Sequence, residues 1–522
     1  MDEENSTIGF ARLAQRYGIT PVMPLRVTSK IAGTRKTLDK GGAIDQEFPV
    51  AYQPDDTLQG HFEFGLKYEE VHLEFFSRLF EKSGSEPIKA WITAEPTGSY
   101  SRRAAFLYEW ITGQRIDTAD VTNGGYIDAI DSGACVTSTT PIKNRRWRIN
   151  NNLPGTNQFC PLVRRSGAVV EATGFSIQES ISKLEATFGA DLLFRSASWL
   201  TFKESKSSFL IEKEADKEVR IKRFAHAIAQ YCGKIPAPLS NQSLETLQKE
   251  ILGADALRTG MRKSPIFIGQ DTISGTSVHY VAPPWDELEG MLQGLRRFEE
   301  LTRGQNPTVR AAATAFAFVY IHPMKDGNGR IHRFLVNDIL SRDGAVPAGI
   351  ILPISATITE SSKNRADYDR VLDVFSRPFM RTYEDACKFE PAKVAEDGVS
   401  YNLNFTAYKD ALHAWRFPDL TQHVEYMAKI IQSTILKEMT EEAQLLRKFD
   451  TAQSNIKEVV EMPNADAQRI IKSISSNNMQ VSNKLVKEYP TLFGPDVTGS
   501  KGTRLLNAVR DAFAEEAQSG GD

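Results

Sequence analysis

One segment limits the possible folds of this chain more than any other. Val309 to Tyr320 reads VRAAATAFAFVY, nearly all apolar and free of helix breakers. A helix that is apolar on every side must be buried on every side, so other elements have to wrap it. Pro323 and Gly327 stop it. Arg330 to Ser341 then resumes a helical pattern, with Ile331, Phe334, Leu335 and Ile339 at core spacing. The twelve residues from His322 to Arg333 (HPMKDGNGRIHR) therefore form a loop clamped between two helices at the centre of a helical domain.

The rest of the chain sets broader limits. A length of 522 residues exceeds one ordinary core, so two to four domains are expected. With 41% hydrophobic and 25% charged residues the composition is that of a globular protein, and a net charge of -3 argues against nucleic acid or anionic membrane as the main partner. The basic run Lys143-Asn144-Arg145-Arg146-Trp147-Arg148 reads as solvated surface. Cys135, Cys160, Cys232 and Cys387 form no CxxC pair, which suggests idle thiols in a reducing compartment. The acidic start, Met1 to Asn5, has no leader-like apolar core, and no run of about 18 apolar residues is present. A cytoplasmic protein without membrane contact is the default expectation.

Three regions are expected: residues 1–195, 200–385 and 390–522. In the first, Tyr68–Phe80 and Arg103–Ile111 read as helices, and 113–170 is rich in Gly, Asn, Thr and Pro and looks irregular. In the second, Lys213–Cys232 is helical, and Pro265–Gly269 with Val278–Val281 read as a hairpin within 264–282. Asp286 is a plausible N-cap for a helix reaching Arg303. The third region is expected to be helical, with a frayed tail after Glu515. The fold class is mainly α.

The loop concentrates chemistry. A turn that opens a helix presents unpaired N–H groups and the positive end of the helix dipole, a combination that binds phosphate. Gly327 and Gly329 remove Cβ atoms from the approach, and Asn328 tolerates an unusual backbone angle or donates a side-chain hydrogen bond. Arg330 and Arg333 are three apart and converge on one helix end, with guanidinium groups suited to phosphate oxygens. Asp326 suits a Mg²⁺ that also binds substrate phosphates, and His322 suits removal of a hydroxyl proton. Each residue alone also has a structural reading as a turn or cap; the set in this order points to a nucleotide site. No GxxxxGK[ST] is present, so this is not a P-loop.

This stretch resembles the signature of the Fic family, HPFx[D/E]GNGRxxR. Eight of nine specified positions match, with Met324 where phenylalanine is usual. The resemblance implies an all-α Fic core and transfer of AMP from ATP to a Ser, Thr or Tyr hydroxyl of a target protein. It assigns His322 as general base, Asp326 to Mg²⁺, and Gly327, Asn328 and Gly329 to the anion-binding turn. Arg330 and Arg333 would hold the phosphates, and Tyr368 would lie near the adenine. The hairpin at 264–282 falls where the family's flap pairs with the target as an added strand. Many family members are held off by a helix with the pattern [S/T]xxxE[G/N]; Ser208 and Glu212, within a helical stretch 205–232, have that spacing, while Lys213 departs from Gly or Asn. A homodimer also fits the resemblance. The stretches Ile92–Gly98 and Phe106–Trp110 resemble long bacterial Fic proteins with an extra N-terminal domain of undefined role.

Two alternatives stand beside adenylyl transfer. One is another Fic-type reaction: transfer of phosphate, UMP or phosphocholine, or removal of AMP. The other is a nucleotide-sensing or DNA-binding regulatory protein, because residues 463–513 could form a winged helix-turn-helix.

Overall fold

The computed structural model describes residues 6–214, 218–253, 256–272, 275–494 and 501–514. The acidic start and the tail from Glu515 lie outside the described residues. At the centre is the helix Pro307–Ile321, buried at every position but Pro307 and Val319. The Asn306 side chain caps it, its Oδ1 accepting from the N–H groups of Thr308 (2.9 Å) and Val309 (3.2 Å). Its alanines at 311, 312, 313, 315 and 317 are all fully buried, so neighbouring helices can approach closely. Asn328–Arg342 packs along it, and Leu288–Leu301 and Thr421–Ser433 complete the shell. The helix expected to start at an Asp286 cap starts instead at Leu288, with Trp285–Glu287 as a 3₁₀ turn and no side-chain cap.

The hydrophobic cores divide the chain differently from the expected 195/200 and 385/390 boundaries. An N-terminal core, rich in Phe62, Phe75, Phe76 and Phe80, runs to Leu162 and takes in one later residue, Phe417. Val169, Ile177, Ile181, Leu184, Leu193 and Leu200 already belong to the central core, which extends to Met439. The N-terminal unit also carries a sheet that the sequence reading lacked. Its strand Val27–Ile31 pairs antiparallel with Thr7–Ile8 and parallel with Ile44–Phe48, which pairs antiparallel with Lys36–Asp39. The helix expected at 68–80 starts later, as Leu73–Ser83, because a preceding helix, Leu58–Tyr68, ends at Tyr68 and the His72 ring caps the new one by accepting from Phe75 N–H at 3.1 Å. The basic run is solvated surface only in part: Lys143 and Arg145 are exposed, but Trp147 is fully buried, and Arg146 pairs with Glu109 at 3.1 Å and with Asp120.

After the central helices the chain forms a second hairpin, Cys387–Val394 with Ser400–Phe405, inside the region expected to be helical. Period-two burial of Leu403 and Phe405 explains it. Thr421–Ser433 then runs through a π-helical segment, Thr434–Met439, into Thr440–Val459. A third core forms on that long helix from Ile456, Ile470, Ile471, Ile474, Leu485, Leu505 and Val509. All elements among its described residues are helices, so the expected winged helix at 463–513 has no β-wing there.

Candidate active site

The loop after the buried helix is shaped by three devices. His322 ends the helix in the left-handed region at φ 51°, and Gly327 at φ 83° turns the chain into the next helix. The Asn328 amide then closes the loop: its Oδ1 accepts from Met324 N–H at 2.9 Å and its Nδ2 donates to Met324 O at 2.7 Å. The side-chain hydrogen bond expected of Asn328 thus goes to the loop itself, and because both ends of the amide are taken, only its main-chain N–H is left for an anion. Met324 is fully buried, and its neighbours pair with the segment before the flap: Arg262 N–H donates to Pro323 O at 3.0 Å and Lys325 N–H to Gly260 O at 3.1 Å. Buried Gln248 bridges the same two segments, donating to Asp326 O at 2.8 Å and accepting from Gly260 N–H at 2.6 Å.

Asn328, Gly329 and Arg330 open the helix, so their N–H groups have no acceptor within it. These groups, His322, Asp326, the flap residues Pro265 to Phe267 and Glu212 face one cavity of about 320 Å³. The second hairpin supplies a further wall, Val399 to Asn402. It is pinned to the foot of the flap by Asp397, which accepts from Lys263 N–H at 2.7 Å and Ser264 Oγ at 3.1 Å, and by the edge-on rings of Phe267 and Phe389.

One contact assigns the tautomer of the His322 ring. Its Nδ1 is 3.2 Å from Val319 O, and a carbonyl only accepts, so Nδ1 carries the proton and Nε2 is left with a lone pair. Burial, and then the Arg262 charge, hold the imidazolium well below its ordinary range, so the ring is neutral at physiological pH. Asp326 is exposed; its Oδ1 accepts from Gly327 N–H at 2.6 Å and from Arg330 at 3.3 Å. Among the described residues no cluster of three His, Cys, Asp or Glu is arranged to hold a metal.

Arg333 is almost completely buried and is engaged by Ser208 of the helix Ala190–Ile211 and by Glu212 at the cap of that helix. Its Nε donates to Ser208 Oγ at 2.7 Å, and one Nη donates to Glu212 Oε1 at 2.7 Å and to Ser208 O at 3.2 Å. Burial would raise the Glu212 carboxyl, but the Arg333 charge and hydrogen bond outweigh it and hold the group below its usual value. A Cβ on Gly329 would lie 2.2 Å from Glu212 Oε1. A carboxylate thus rests on the glycine turn, where an anion is expected.

The helix bearing Glu212 ends in a Schellman turn, with Lys213 N–H bonded to Leu210 O and Glu214 N–H to Phe209 O. Lys213 takes the left-handed position at φ 59°, which is the physical reason for Gly or Asn there. The expected single helix at 205–232 is therefore two, ending at Ile211 and resuming at Glu218–Tyr231. The turn brings Glu214 to Arg330 at 3.3 Å, while the Arg330 guanidinium lies 5.0 Å from the centre of the Phe209 ring. Each signature arginine thus has a carboxylate from one short segment. Nothing in the sequence singled out Glu214 within the charged run 212–214.

Tyr368 lies elsewhere than expected. It is buried beside His332 and Tyr426, with its hydroxyl against Arg333, and it does not line the cavity. It backs the arginine instead of offering a ring to a base.

Residues 238–340 match the Fic/DOC family. This chain carries a Fic domain. Its site geometry sits inside that span except for Ser208, Glu212 and Glu214, which precede it, and the second hairpin, which follows. Among known proteins, the chain is similar to protein adenylyltransferase fic-1 of Caenorhabditis briggsae, with 32% identity over 151 residues, 27% of this chain and 26% of that protein. Protein adenylyltransferase Fic of Drosophila ananassae is 29% identical over 147 residues, again 27% of this chain and 26% of that one. The matches thus span about a quarter of these relatives' length. The crystal structure of a Fic family protein from Desulfovibrio desulfuricans G20 covers 64% of this chain and 90% of its own, with 19% identity and a TM-score of 0.38.

Proposed function

We propose that the chain is a protein adenylyltransferase held off by its own Glu212. The observation that carries this is the placing, on one cavity, of His322, whose Nδ1 faces Val319 O, beside a glycine turn that opens a helix. The acceptor is a Ser, Thr or Tyr hydroxyl on a target protein or on the chain itself. Its oxygen attacks the α-phosphorus of ATP, its proton passes to His322 Nε2, and the bond to the β-phosphate breaks to release pyrophosphate. The N–H groups of Asn328, Gly329 and Arg330 and the Arg330 guanidinium bind the phosphates, and Arg333 does so once it is freed from Glu212.

Asp326 is the one carboxylate of the loop and is open to the cavity. A single carboxylate fits Mg²⁺ that is otherwise held by nucleotide phosphates and water, and the ion there neutralises phosphate charge. The target segment docks as an extra strand along the flap, Phe267–Thr272 with Gly275–Val281. No helix among the described residues is long and apolar enough to cross a membrane, and the four cysteines are unpaired.

The test is label transfer from α-labelled ATP with Mg²⁺ and cell extract. Glu212→Gly is expected to label itself or a target, and Glu212→Gly with His322→Ala to label neither. Label that survives His322→Ala rejects the mechanism. The mass added to the modified protein separates AMP from UMP, phosphate and phosphocholine.

A further inference from the structure

Arg262 lies outside the signature, on the segment that leads into the flap. Its side chain is 1% exposed. All four of its side-chain hydrogen bonds end on main-chain carbonyls. Nε donates to His322 O at 2.6 Å, Nη1 to Ser264 O at 3.1 Å, and Nη2 to Pro283 O at 2.7 Å and Ile321 O at 3.2 Å. None of them, among the described residues, goes to a carboxylate. Burying a cation without a counter-ion is costly, and its location explains what offsets the cost. Ile321 and His322 end the buried helix, where unpaired carbonyls and the negative end of the dipole favour a cation.

The other two carbonyls belong to the two feet of the flap, Ser264 before its first strand and Pro283 after its second. One guanidinium therefore ties three things together: the last helical turn, the left-handed His322, and both flap feet. A left-handed non-glycine residue needs its surroundings to hold it there. The main chain of Arg262 adds a bond to Pro323 O at 3.0 Å on the same loop.

We infer that Arg262 is a positioning residue for group transfer: it sets the distance between the flap, which carries the acceptor segment, and the imidazole that takes the acceptor's proton. The inference rests on the adenylyl-transfer reading above, since it takes His322 as base and the flap as dock. A misplacement of about 1 Å at such a site lowers the rate on the order of 100-fold. Arg262 does not line the cavity, and the proposed role requires no contact between it and ATP.

The test uses the full chain with Glu212→Gly as parent. Arg262→Met is expected to lower the self-labelling rate at saturating ATP by about 100-fold, with the KM for ATP changed less than threefold. Arg262→Lys, which keeps the charge but reaches fewer carbonyls, is expected to lie between the two. In Arg262→Ala, added guanidinium is expected to restore transfer and added urea not to, a rescue that distinguishes positioning from general loss of fold. Arg262→Met working within threefold of the parent overturns the inference, and so does equal rescue by urea. If the parent itself transfers no label, the functional reading fails, and amide hydrogen exchange judges Arg262 separately. Faster exchange at residues 264–272 and 321–324 in Arg262→Met supports it, and unchanged exchange overturns it.

Discussion

Replacing Glu212 by glycine should release the site, and the size of the effect follows from the contact. The Glu212–Arg333 bond is 2.7 Å long; the arginine side chain is 1% exposed and the glutamate side chain 36%. Hydrogen bonds to charged groups contribute about 1.5–3 kcal/mol. With a third of the carboxylate side chain in water, the lower end applies, about 1.5 kcal/mol. The Ser208 bonds stay in place and keep Arg333 oriented, so the variant frees the guanidinium without unpacking it. At about 1.4 kcal/mol per tenfold, Glu212→Gly should raise the initial self-labelling rate at subsaturating ATP about tenfold. Glu212→Gln, which keeps the shape and loses the charge, should fall between. Rates within twofold of wild type in both variants would falsify the competition between Glu212 and phosphate for Arg333.

Other consequences concern the same helix and loop. Lys213 in the left-handed region costs about 1–2 kcal/mol, against which glycine loses about 0.5–1 kcal/mol of chain entropy. Lys213→Gly should therefore secure the helix end and lower basal labelling about two- to fivefold, and an increase would refute this account. Glu204, on the same helix, accepts from Ser355 N–H at 2.7 Å and Oγ at 2.6 Å, and burial raises its carboxyl to about 7. A raised carboxyl contributes stability that is full below its ordinary value of 4.5 and is lost as pH rises through about 7. The Tm of Glu204→Gln should accordingly gain on wild type between pH 5 and 8, and a constant difference argues against it. Asn328→Ala leaves Met324 N–H and C=O without partners in a buried loop, at about 2–3 kcal/mol. A Tm drop of several degrees is expected by calorimetry; an unchanged Tm would mean the amide does not brace the loop.

Much of the site was readable because its residues are contiguous. The periodicity of 309–320 required burial, and the punctuation at Pro323, Gly327 and Gly329 required a turn, so His322, Asp326, Arg330 and Arg333 had to share one helix junction. Ser208 and Glu212 were found only through the family pattern, 110 residues before His322. The same pattern placed Tyr368 near the adenine, but here the tyrosine hydroxyl lies against Arg333 instead.

What the sequence determined by itself is the chemistry of one helix–loop–helix, since spacing along a helix converts directly into direction in space. Tertiary structure alone decided which groups oppose one another across the cavity. Glu214 on Arg330, Gln248 under the loop, Arg262 between flap and histidine, and the hairpin 387–405 as a further wall all join residues far apart in the chain. No local period encodes such contacts, because they depend on how separate elements pack. The division of the cores near 162 and 439 has the same origin. Helices 167–211 and 421–439 have apolar faces that suit either neighbour, and only the packed chain settles which neighbour they cover.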